Sequence, residues 1–85
     1  MIGRRMYPDE DGNIHVILPG DYGKYHDGWL LCVPTGIHGR IKEPIWKIIE
    51  HEDGTITVSP SIDVKSHIDT YNWHGYLERG IWREV

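Results

Sequence analysis

The sequence has no phenylalanine and one cysteine, Cys32, so no internal disulfide can brace the fold. That fits a reducing compartment, and the expectation is the cytoplasm. Basic residues never cluster beyond Arg4-Arg5, and the net charge is −4. Electrostatic binding to nucleic acid needs a basic face, so no nucleic-acid partner is expected. No apolar run approaches the ~20 residues of a membrane-spanning helix, so no membrane partner is expected either. The start, from Met1 to Gly12, lacks the apolar stretch of a secretory signal. No window sustains an apolar period of 3.6 residues, and there is no internal repeat.

What is present is 85 residues, enough for one small domain spanning 1–85 with a thin core. Four tryptophans and five tyrosines must supply much of that core. Ten glycines and five prolines break the chain into short runs rich in Ile, Val, Trp and Tyr. This pattern predicts a mainly β domain, a small antiparallel meander of hairpins, barrel-like or sandwich-like.

Asn13–Leu18 reads as a strand, closed by a Pro19-Gly20 turn, with Arg4–Tyr7 as its hairpin partner across Asp11-Gly12-Asn13. Asp21–Gly28 reads as a loop, Gly28–Val33 as a buried strand and Pro34–Arg40 as a loop. Strand is better supported than a helical turn through Pro44–Lys47. Ile45–Glu52 and Thr55–Ile62 flank Asp53-Gly54, a dipeptide suited to a two-residue turn with φ > 0. That turn pairs Ile49 with Val58, Ile45 with Ile62 and His51 with Ile56. Pro60 cannot donate to a ladder, which puts its strand at an edge or ends it there. Asp63–Asn72 is polar and reads as a loop. Trp73–Leu77 and Ile81–Val85 form a second hairpin about Arg79-Gly80, with Leu77 opposite Trp82 and Tyr76 opposite Arg83. Alternation then turns Trp73, Leu77 and Trp82 to the core, and His74, Tyr76 and Arg83 outward.

Three kinds of chemistry compete for these residues. Cys32, His38 and His74 have the donor types of a zinc site, but their spacing closes no knuckle and a fourth ligand is missing. A lone Cys in an apolar strand is more often a small buried hydrophobe. A Cys–His nucleophile needs an orienting third group, and nothing local supplies one. An outward aromatic beside an Arg suits protein recognition, which makes His74, Tyr76 and Arg83 the candidate partner-binding residues.

Cys32, Gly36, His38-Gly39, Trp46, Ser59-Pro60-Ser61-Ile62, Trp73-His74-Gly75-Tyr76 and Gly80, in that order, resemble a group of small phage and prophage proteins of unknown function. Genomes label some of them, implausibly, ammonia monooxygenase. Many members carry a Cys-rich start, a His, a central Trp, a Ser-Pro-Ser stretch and a Cys-His-Ser-Phe-like end, which suggests a zinc site in them. Two of those thiolates are missing here: Thr35 and Trp73 stand where cysteines would fall. The resemblance therefore implies a phage-encoded β module without a cofactor. The expected function is a non-catalytic accessory protein that binds a host or phage protein or its own copies. The alternatives are a zinc-binding module on Cys32, His38 and His74, and an enzyme of unknown type.

Overall fold

A computed structural model describes all 85 residues. Eight strands form two four-stranded sheets. The first contains β1 (Arg4–Met6), β2 (Asp21–Tyr25), β3 (Gly28–Cys32) and β4 (His38–Lys42) in that spatial order. The second contains β5 (Lys47–Glu50), β6 (Ile56–Val64), β7 (Trp73–Glu78) and β8 (Ile81–Glu84), a plain meander. Every pairing is antiparallel except β1 with β2, which is parallel. The sheets do not close into a barrel. They share one core, to which the first contributes Tyr22, Trp29, Leu31, Val33 and Ile41. The second contributes Ile56, Val58, Ile62, Trp73, Leu77 and Trp82. No helix is long and apolar enough to cross a membrane.

The N-terminal segment joins the sheets at one side. Trp82 N–H donates to Met1 O at 2.8 Å and Gly3 N–H to Gly80 O at 2.7 Å, with Ile2 bridging Ile81. The chain then crosses to the first sheet as β1 and lies beside β2.

Asn13–Leu18 is not a strand, and Arg4–Tyr7 is not its hairpin partner. The segment lies across the outer face of the first sheet instead. Ile14 sits over Gly23, and Val16 is buried. Cys32 is sealed beneath it, with Sγ 3.7 Å from Ile17 O. Its backbone is held by side chains rather than by a ladder: Asp9 caps Asn13, and Asp21 accepts from Ile17 and Leu18. Apolar alternation served to cover a sheet face, a role period alone does not distinguish from pairing.

Asp21–Gly28 is not a loop. Asp21–Tyr25 is β2, and His26-Asp27 is the turn of a tight hairpin, with His26 at φ 52°. Its polar residues Lys24 and Tyr25 lie at the exposed end, while Tyr22 enters the core. The loop expected over Pro34–Arg40 stops at Ile37, where β4 begins. Glu43–Trp46 is a turn, not a strand, and carries the chain from the first sheet to the second.

The β5–β6 hairpin exists with its register one residue off the expected one: Ile48 pairs with Val58, Ile49 with Thr57 and Glu50 with Ile56. The loop has three residues, Glu52-Asp53-Gly54, with Gly54 N–H donating to His51 O and His51 N–H to Thr55 O. Gly54 stands at φ 87°, the left-handed residue that ends such a loop. The slip turns Ile49 outward, 44% exposed, and leaves Ile45 67% exposed. Pro60 lies in an interior strand, not at an edge. Its missing donor is tolerated because β5 pairs no further than Ser59 and the β6–β7 register shifts between Val58 and Ile62. The strand continues to Val64, so the loop expected from Asp63 begins two residues later and includes a 3₁₀ turn, Asp69–Tyr71.

Candidate functional site

The β7–β8 hairpin has the expected register, Leu77 opposite Trp82 and Tyr76 opposite Arg83. Arg79 and Gly80, at φ 47° and 76°, supply the two positive φ values that a two-residue turn needs. Trp73, Leu77 and Trp82 are buried on the inner face. The two indoles meet edge to face, with centroids 5.4 Å apart and planes at 84°. Trp73 folds over Gly75, where a Cβ would lie 2.5 Å from the ring. Trp82 Nε1 donates to Gly20 O at 2.9 Å, a buried bond between the sheets.

The outer face carries the candidate residues. Arg83 Cζ lies 5.0 Å from the Tyr76 ring centroid, a stacked cation and ring. Glu78 fixes the guanidinium through Arg83 Nη2 at 2.6 Å and Nε at 3.1 Å, which holds Arg83 yet more firmly protonated. Tyr76 is thereby half-buried, with one ring face covered by its own hairpin. His74 Nε2 lies 2.8 Å from Ser61 Oγ on the neighbouring strand. Sequence reasoning missed this Ser–His contact, since a register shift within β6 sets it and no local motif marks it.

The contact has the distance of a nucleophile and its base, but the rest of that arrangement is not there. Asp63 is the register partner of His74, yet its carboxylate pairs with Lys65 at 3.4 Å. The face is exposed, and the molecule's clefts lie elsewhere. A serine nucleophile needs its base oriented by a third group and a place for the developing oxyanion.

Cys32, His38 and His74 are not brought together. Cys32 and His38 are register partners in the first sheet, whereas His74 belongs to the second. Nowhere do three His, Cys, Asp or Glu side chains converge as a metal site would require. Burial pushes the Cys32 thiol up, with the charge of Asp21 adding to it, so the sulfur stays protonated. The His38 ring is engaged, with Nε2 2.7 Å from Val16 O.

Two charged residues that sequence reasoning passed over are built into the frame. Arg5 lies between the rings of Tyr7 and Trp29, 4.5 and 4.7 Å from their centroids, and donates to Gly54 O at 2.6 Å. Asp21 is only 2% exposed and accepts two bonds from Arg4, at 3.0 and 3.1 Å. No family model, curated protein or solved structure matches the chain.

Proposed function

We propose that the chain is a non-catalytic binding module, and that it holds a protein partner, or another copy of itself, against the outer face of the β7–β8 hairpin. The observation that carries this reading is the Tyr76–Arg83–Glu78 stack. A ring and a guanidinium held against each other across their own hairpin lose little side-chain freedom on association, which is what an interface anchor needs. The net charge of −4 favours a protein partner over nucleic acid. The resemblance to small phage and prophage proteins directs the search to a bacterial host cytoplasm. The zinc reading has less support, because His74 lies in the other sheet from Cys32 and His38.

The test pairs retention of a partner from infected or lysogenic lysate, and sedimentation of the purified chain, with melting. Tyr76→Ala is expected to abolish either a specific retained band or self-association while shifting the melting temperature little. If wild type and variant behave alike in both association assays, the face is not the interface.

The Ser61–His74 contact favours a second reading, a serine hydrolase. A fluorophosphonate probe decides it. The expected result is no labelling; labelling that Ser61→Ala removes would establish a nucleophile.

A further inference from the structure

Where Met1–Gly3 pairs with β8 and runs on into β1, the sheets are stitched together. The Glu43–Trp46 turn leads from β4, the last strand of the first sheet, to β5, an edge strand of the second whose Glu50 meets Arg5 and Lys24. β4 pairs with β3 alone, so its other edge is free of strand partners.

In an antiparallel pair, hydrogen-bonded residue pairs alternate with pairs whose backbone groups point outward. Val33 N–H donates to Ile37 O at 3.0 Å. Along the register, Leu31 with Gly39 and Trp29 with Ile41 are then the bonded pairs. The N–H and C=O groups of His38 and Arg40, and the N–H of Lys42, therefore point away from β3 to the free edge. Lys42 O is taken by Trp46 N–H at 3.2 Å. A row of unpaired donors and acceptors on an edge strand is a template for another extended chain.

Both faces beside this edge have a definite character. On the inner side lies a cleft of about 230 Å³ whose apolar wall includes Ile41, Trp46, Ile62 and Val64, with Asp63 and Lys65 also lining it. Gly39 keeps it open, because a Cβ there would face Val64 Cγ2 at 3.4 Å. On the outer side His38, Arg40 and Lys42 stand in a row, all exposed. One carboxylate, Asp27, meets both Arg40 at 3.0 Å and Lys42 at 3.8 Å. The stripe thus keeps positive charge in an acidic chain.

The geometry points to β4 as a docking edge for an extended segment of a partner protein that alternates apolar with acidic side chains. Laid outside β4, such a strand sets every second side chain over the cleft and the others beside Arg40 and Lys42. Main-chain bonds to His38, Arg40 and Lys42 hold it, while the cleft and the cations select its sequence. This surface belongs to the first sheet and stands or falls independently of Tyr76.

The test titrates the isotope-labelled chain with an end-blocked hexapeptide alternating leucine and glutamate, read by amide shifts. Saturable shifts are expected at the amides of His38, Arg40 and Lys42 and at the Trp46 indole N–H. Methylating the peptide amides that face β4 should weaken binding by roughly tenfold or more, since each lost bond counts. Gly39→Val fills the cleft and should weaken it similarly, with the melting temperature little changed. The proposal is overturned if the methylated peptide binds as well, or if a peptide alternating leucine and lysine does. It is equally overturned by shifts centred on β8, by no saturation in the millimolar range, or by β4 pairing with β4 of a second copy in sedimentation of the chain alone.

Discussion

Asp21 shows how much one side chain can organise. It opens β2, nearly inaccessible to solvent, and accepts from the Arg4 guanidinium and from the amides of Ile17 and Leu18. Burial works against its ionisation, but Arg4 and the two amides outweigh it, and the pKa falls below the usual carboxylate value. A depressed folded-state pKa contributes stability that is fully present above the unfolded value, about 3.9 for Asp. That stability is lost as pH falls through the lower folded value. Asp21→Asn should therefore cost about 1–3 kcal/mol at neutral pH and progressively less below pH ~4. Urea midpoints of both proteins across that range check this, and a gap that stays constant down to acid would contradict it. Cys32 gives a second prediction at this scale. A thiol reagent should label it slowly in the native state and rapidly in denaturant, because the Val16–Ile17 strap covers a protonated sulfur. Burial of Cys32 was legible in the apolar run Gly28–Val33. The role of Asp21 was not, since an Asp after Pro-Gly looks like any turn residue until Arg4 is placed beside it.

The two hairpins of the second sheet differ in what local sequence decides. In β7–β8 the alternation of Trp73, Gly75 and Leu77 against His74, Tyr76 and Glu78 leaves one register with an apolar inner face, and Arg79-Gly80 fits its turn. In β5–β6 the adjacent residues Ile48 and Ile49 put an isoleucine inward in either of two registers. Asp53-Gly54 fits a two-residue loop and also the last two positions of a three-residue one. The core chose, by taking Ile48 with Val58 and Ile56. Ile48→Thr should consequently cost about 1–2 kcal/mol, and Ile49→Thr less than about 0.5 kcal/mol. Equal costs in thermal melts would restore the other register. Gly54→Val should cost about 1–3 kcal/mol in either case, since it forces a branched side chain to φ 87° and into the Tyr7 hydroxyl. A variant melting with wild type would remove Gly54 from the left-handed position.

At the scale of the whole molecule, mainly β structure in one small domain was legible, because short apolar runs between Gly and Pro permit little else. The pairing of β1 with β2 and the strap over Cys32 were not, because contacts between distant segments leave no local periodicity. The two sheets meet at Trp82. Its indole packs edge to face on Trp73, its Nε1–H reaches Gly20 O in the first sheet, and its backbone N–H holds Met1 O. A large-to-small change there removes core volume and one of the two bonds that Gly20 O accepts, leaving only the one from Arg4 N–H at 3.1 Å. Trp82→Ala should cost about 3–5 kcal/mol, a large share of the ~5–15 kcal/mol available to a small domain. Trp82→Phe separates the two losses, keeping most of the ring and losing the N–H, and should cost about 1–3 kcal/mol. Chemical denaturation of both variants tests the joint directly. If the sheets depend on that bond to act as one core, Trp82→Phe also loosens the N-terminal seam, and amide exchange at Gly3 and Gly80 quickens while Ile56 and Val58 stay protected. Exchange that rises uniformly through both sheets would mean that the sandwich is held by its common core alone, with the Trp82–Gly20 bond an incidental contact.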